Sequence, residues 1–205
     1  ACHTMNMPCM ALNLFDPLTV EADSPGVFEN ESYPKFSTLK YEFPERDKMP
    51  ACTMIWYDGG KMPPESLMKG EDKLPNTGSI LVGTKGTLVS FGDYGGERNL
   101  LLPKEKFADF KAPAPSLPRA DGGHFKEFAD ACRGGAPAMS NFEYGGRLTE
   151  TLLLGNVAMR CGQKIEWSAK DLKVTNIPDA NKFLHREYRE GWTDLGVALE
   201  KLARG

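Results

Sequence analysis

The residues of this chain best suited to chemistry are few. There are three histidines: His3, His124 and His185. His3 and Asn6 stand three apart, which puts them on one face of a helix. An imidazole titrates close to neutral pH and can take up and return a proton. A neighbouring amide can orient a hydroxyl. The pair fits an acid–base group with a substrate-orienting partner; a capping or surface histidine on a short helix has the same spacing. His124 falls in the first turn of a predicted helix, where the positive helix end disfavours a protonated ring. Simple exposure accounts for it equally well. His185 belongs to the run His185-Arg186-Glu187-Tyr188-Arg189-Glu190, which reads as a solvated face. Trp56 and Tyr57 close an apolar run just ahead of a long loop. They either pack within a sheet or wall a sugar-sized pocket.

The absent motifs narrow the field further. There is no G-x-G-x-x-G between a strand and a helix, no Walker A, no G-x-S-x-G and no H-E-x-x-H. The cluster Gly92-Asp93-Tyr94-Gly95-Gly96 comes nearest, but no helical pattern follows it, so it reads as a loop. Unaided, the chain does not hold a dinucleotide by the usual route. Cys2, Cys9, Cys52, Cys132 and Cys161 include no C-x-x-C pair and no histidine in zinc register. They read as buried free thiols acting as small hydrophobes, with neither a disulfide framework nor a metal site expected.

The positioning elements follow from periodicity and punctuation. Residues 3–15 read as a short helix stopped by Asp16-Pro17. Residues 18–22 and 36–43 read as strands, the second burying Ser37, Leu39, Tyr41 and Phe43. Residues 51–57 form an apolar strand that ends at Asp58-Gly59-Gly60. Residues 58–78 are a long irregular stretch of the sort used as a lid or left disordered. Residues 79–92 read as a hairpin about Thr84-Lys85-Gly86, with glycine supplying positive φ, and 99–102 add a strand. Residues 104–119 are Pro-rich and extended.

Asp121 is placed to cap a helix that buries Phe125, Phe128, Ala129 and Cys132 and ends at Gly134-Gly135. Ser140 to Glu143 reads as a capping box opening a largely buried helix to Cys161. Gly145 and Gly146 within it imply a close neighbour. A short strand at 164–167, the run 181–192 and a helix over 194–203 complete the chain. Strands in runs, with helices at both ends, predict an α+β fold: an open, mostly antiparallel or mixed sheet of about six strands with helices packed on one face. An uncovered sheet face would either meet a partner or expose an apolar patch, so a homo-oligomer formed sheet to sheet is expected.

Composition excludes several classes. The 205 residues carry 25 Lys+Arg against 28 Asp+Glu, a net charge of −3. That is too even for a nucleic-acid partner. No apolar run reaches membrane-spanning length, and no basic-then-apolar start marks a signal peptide. The opening residues are already helix-like without a cap, which reads as the C-terminal part of a longer protein.

Six segments together resemble the C-terminal domain of the Gfo/Idh/MocA family (glucose–fructose oxidoreductase, inositol dehydrogenase, rhizopine catabolism), in the form of a bacterial subgroup common in planctomycete-like genomes. They are residues 1–6 (ACHTMN), 56–60 (WYDGG), 83–88 (GTKGTL), 123–132, 141–150 and 186–192. They occur in family order and cover nearly the whole chain.

The resemblance implies a substrate-binding and oligomerisation domain, with residues 1–15 the remnant of the linking catalytic helix. A Rossmann domain ahead of it would bind NAD or NADP. His3 takes the His position of the motif D-x-x-x-H-x-x-D/N and Asn6 its last position; the leading Asp would precede Ala1, and the family's lysine and glycine fingerprint would also lie upstream. The implied substrate is a sugar or polyol, with His3 as acid–base and Asn6, Tyr57 and Asn76 in substrate contact. The chain by itself is then expected to show no dehydrogenase activity. The competing readings are a non-catalytic oligomerisation or scaffold domain and a stand-alone carbohydrate-binding module.

Overall fold

The computed structural model describes residues 1–26, 32–70, 73–95 and 98–190. The expected run 194–203 lies outside the described residues. Among the described residues eight strands form two open, wholly antiparallel sheets. The larger holds β1 (Thr19–Asp23), β2 (Ser37–Phe43), β3 (Cys52–Asp58), β7 (Ile165–Ser168) and β8 (Lys173–Val174) in the order β3-β2-β1-β7-β8. The smaller is β4 (Gly78–Val82), β5 (Thr87–Phe91) and β6 (Arg98–Leu102) in chain order. The α+β class and the open antiparallel architecture are as expected, with the strands divided five and three.

Period-two burial builds the larger sheet. Ser37, Leu39, Tyr41 and Phe43 are buried while Thr38, Lys40 and Glu42 between them are only half-buried. Register puts Val20, Trp56 and Met54 on the same face as Leu39 and Tyr41. Helix α1 (Cys2–Leu12) and helix α3 (Phe142–Cys161) cover that face, bringing Met5, Cys9, Leu154, Val157 and Ala158 into one core with Val20, Leu39 and Ile165.

Gly155 lets α3 approach closely. A Cβ there would lie 2.3 Å from the Tyr41 hydroxyl and 2.6 Å from Leu39 Cδ1. Gly145 and Gly146, from which a close neighbour was expected, have nothing within 4 Å. Helix periodicity cannot say which glycine faces the sheet; packing does.

The opposite face of the larger sheet is mostly polar. It presents Thr19, Glu21, Thr38, Lys40, Glu42 and Thr53, with Ile55 and Tyr57 on the edge strand. Glu42 accepts from Lys40 Nζ at 2.8 Å, Lys164 Nζ at 3.0 Å and Thr19 Oγ1 at 2.8 Å. These partners, Lys40 first, hold its carboxyl down at about 2. An ion-paired ladder of this kind can be solvated without a partner.

The smaller sheet has its own core of Met68, Val89 and Leu102, joined by Leu74, Ile80, Phe91 and Leu100. The stretch 58–78 is therefore not a free lid. Its 3₁₀ turn Glu65–Met68 plants Met68, 1 % exposed, in this core. The 83–86 connection works differently from expectation. Neither Gly83 nor Gly86 has positive φ. Gly86 is needed for space, since a Cβ there would meet the Phe107 ring at 2.6 Å and Leu102 O at 2.7 Å. Phe107 belongs to a 3₁₀ turn, Lys104–Phe107, inside the stretch read as extended.

Several boundaries also move. Helix α1 ends at Asn13, in the left-handed region, before Asp16-Pro17 is reached, and it contains Pro8. The N-cap of α3 is Asn141, whose side chain accepts from Tyr144 N, so the expected capping box is displaced by one residue. Helix α2 (His124–Cys132) starts from Gly123 rather than under an Asp121 cap. Its apolar stripe is not buried: Phe125 is 91 % exposed, and Phe128 and Cys132 are exposed too. No described element packs over that stripe, and amphipathicity alone does not supply a partner. Of the cysteines, all free, Cys9 is buried but Cys2 and Cys132 are not. A 3₁₀ turn, Pro178–Phe183, leads into the run that starts at 181.

Candidate functional site

Helix α1 touches both α3 and β4, so it links the two sheets. Its proline makes the link. Pro8 has no N–H, so it cannot bond the carbonyl of Thr4 four residues back. Ser79 Oγ of β4 donates to that carbonyl instead, at 3.2 Å. The side chain of Thr4 turns the other way, and its Oγ1 donates to Asp93 Oδ1 at 3.0 Å. Thr77 Oγ1 donates to the same oxygen. Asp93 lies in the turn after β5, where Gly92 and Gly95 both have positive φ, and Gly92 N donates to Thr77 O at 3.0 Å. The next residue, Tyr94, brings its ring to 4.9 Å from that of His3, tilted by 53°. The start of α1, the approach to β4 and the turn after β5 thus meet at one place.

His3 and Asp93 are exposed, and Tyr94 is 74 % exposed. The Asp93 carboxyl is held below the usual carboxylate range, chiefly by the Thr77 hydroxyl and then by that of Thr4, with the His3 charge a smaller contribution. Asn6 is tied to α3: the Tyr144 hydroxyl donates to Asn6 Oδ1 at 2.5 Å and lies 3.2 Å from Asn6 O. One side of the Asn6 amide is thereby occupied, and its NH₂ is what remains to meet a ligand.

Asn76 is exposed and immediately precedes Thr77, at the margin of the cluster. Tyr57 is not brought in. It pairs with Thr38 on the face of the larger sheet opposite α1, while Trp56 faces the core and donates to Asp58 Oδ2 at 3.2 Å. His124 and His185 are exposed in other elements. Sequence reasoning missed Tyr94 as the ring against His3, Asp93 beside it with Thr4 and Thr77 holding its carboxylate, and Tyr144 as the partner of Asn6. The glycine cluster at 92–96 was the signal for the turn. Tyr144, 138 residues from Asn6, had none.

The cluster offers an imidazole, a carboxylate and an aromatic ring to the outside. That is equipment for binding hydroxyls and moving a proton. Among the described residues the Gly92–Gly95 turn opens no helix whose N–H groups could receive phosphates; the next element is β6. Among the described residues no group of three His, Cys, Asp or Glu could hold a metal ion, and no helix is long and apolar enough to cross a membrane. His3 lines neither the hollow between α1 and α3 nor the one beside Trp167.

No protein-family model matches the chain, and no curated protein matches it. Among solved structures it is similar to one named "putative oxidoreductase" from Bacteroides fragilis NCTC 9343, with a TM-score of 0.41 and 12 % identity. The match covers 82 % of this chain and 51 % of that one, so the chain spans about half that protein's length. A likeness this distant fixes neither family nor activity.

Proposed function

We propose that this chain is the substrate-binding part of a nicotinamide-dependent sugar or polyol oxidoreductase. In this reading NAD or NADP is held mainly by a Rossmann domain ahead of residue 1, with residues 1–15 as the linking catalytic helix. The observation that carries the reading is the open cluster at the start of α1. His3 stands against Tyr94 beside Asp93 on exposed surface, outside the two hollows described above. Proton transfer at a substrate works best with water excluded. A second body closing over α1 would supply that exclusion and, with it, the dinucleotide.

The chain's own part is limited and specific. The His3 imidazole takes the proton from a substrate hydroxyl and returns it in the reverse direction. Asn6, with Oδ1 committed to Tyr144, orients that hydroxyl through its NH₂. Asn76 extends the contact surface. Self-association through the open sheet face belongs to the same reading, with Ile55 and Tyr57 as its apolar contacts.

The test joins this chain to the coding segment ahead of it and follows reduced nicotinamide with sugars and polyols. His3→Ala is expected to lower kcat by about a hundredfold or more, the usual scale of general acid–base catalysis. Full activity in His3→Ala, or turnover by the present chain alone, would overturn the reading.

A further inference from the structure

We propose that Asp93 and Tyr94 determine specificity at the His3 site, with Asp93 Oδ2 accepting a hydroxyl of a neutral, hydroxyl-rich substrate and the Tyr94 ring lying along its C–H face. The proposal rests on the reading of the His3 cluster as a substrate site and adds the contacts that select the substrate.

The two oxygens of Asp93 are used unequally. Both threonine hydroxyls, from α1 and from the segment leading into β4, bond Oδ1. Among the described residues no hydrogen bond reaches Oδ2. A carboxylate anchored by one oxygen is oriented in advance, and its second oxygen accepts a ligand hydroxyl without further ordering. The same hydroxyls hold the carboxyl below the usual carboxylate range, so it is an acceptor at neutral pH.

Tyr94 gives the complementary surface. Its ring touches that of His3 at an angle and is otherwise largely open. An aromatic ring with one end wet suits a ligand that is apolar on its C–H face and polar at its edge. Among the described residues the charged groups acting on Asp93 are His3 and the amino group of Ala1, and in a protein joined ahead of Ala1 that amino group becomes a peptide bond. A ligand carrying its own carboxylate would set a second negative charge beside Asp93, and His3, neutral when it acts as a base, would not offset it. The site should therefore take a neutral sugar or polyol and reject the corresponding acid.

The experiment titrates D-glucose, and separately D-glucuronate, into the chain and follows the Tyr94 ring signals by NMR. Glucose is expected to shift them and glucuronate not to compete. Asp93→Asn keeps an oxygen for the two threonines and replaces the other with a donor. It should weaken glucose binding about tenfold with the Thr4 and Thr77 signals unmoved. Tyr94→Ala should weaken it as well.

Absence of any glucose shift, equal binding by Asp93→Asn, or displacement of glucose by glucuronate would each overturn the proposal. The acid–base reading fails separately. If His3→Ala keeps turnover in the joined protein while Asp93→Asn loses glucose, the pair stands and the proton role falls. If His3→Ala loses turnover while Asp93→Asn binds glucose unchanged, the reverse holds.

Discussion

Replacing Gly155 by alanine tests how α3 sits on the larger sheet. By helix propensity alone the change would stabilise by about 1 kcal/mol. Packing opposes it. The new Cβ would lie 2.3 Å from the Tyr41 hydroxyl and 2.6 Å from Leu39 Cδ1, where unstrained contacts need about 3.5 Å. Tyr41 is 1 % exposed and Leu39 5 %, so neither can swing into solvent. Relief requires α3 to lift by about 1 Å, which loosens its contacts with Val20 and Leu39. Overpacking of this type costs about 1–3 kcal/mol, and two side chains this deeply buried favour the upper end.

Taking about 3 kcal/mol less the propensity gain of about 1 leaves a net loss of about 2 kcal/mol. For a chain of this size that is a fall in Tm of about 4–8 °C. Gly146→Ala is the control. It stands in the same helix with nothing within 4 Å of its Cβ position and should gain about 1 kcal/mol. Tyr41→Phe removes the atom nearest the clash and should recover at least half the loss in the Gly155→Ala background. Thermal and urea unfolding followed by circular dichroism read all four proteins. Gly155→Ala as stable as the parent, or raised like Gly146→Ala, would refute the packing argument.

Two further predictions concern the link between the sheets and the charged face. Ser79→Ala leaves the Thr4 carbonyl without its donor and should cost about 1 kcal/mol in urea unfolding; in a Pro8→Ala background, where residue 8 regains an N–H, the same change should cost almost nothing. Glu42 has its carboxyl lowered from 4.5 to about 2 in the folded chain, so its ionised form adds stability that is present above pH 4.5 and is lost as pH falls toward 2. Glu42→Gln should therefore be less stable than the parent at pH 7, and the gap should close between pH 4.5 and 2. A gap that persists unchanged at pH 2 would sever that stability from the carboxylate.

Period-two and helical spacing were enough to place β2, β3, the β4–β5 hairpin and α3, because alternation and capping act within a few residues of chain. The burial of Ser37, Leu39, Tyr41 and Phe43 on one face is legible in the residues themselves. The exposure of Phe125 and Phe128 was not legible, because a stripe of apolar residues specifies a face and says nothing of what meets it. Nor was the polar open face, since strands Thr19–Asp23 and Ser37–Phe43 reveal their shared ladder only once their register is known.

The candidate site divides in the same way. His3 and Asn6 were named by type and spacing, which chemistry limits to a few residues. Tyr94 came against His3, and Thr4 and Thr77 onto Asp93 beside it, only through the approach of two sheets across α1, and Tyr144 reached Asn6 from 138 residues away. Local sequence determines which groups can exchange a proton and where strands and helices begin. Which carboxylate and which ring stand beside them depends on contacts between distant segments, whose energies come from burial and are settled only when the whole chain has packed.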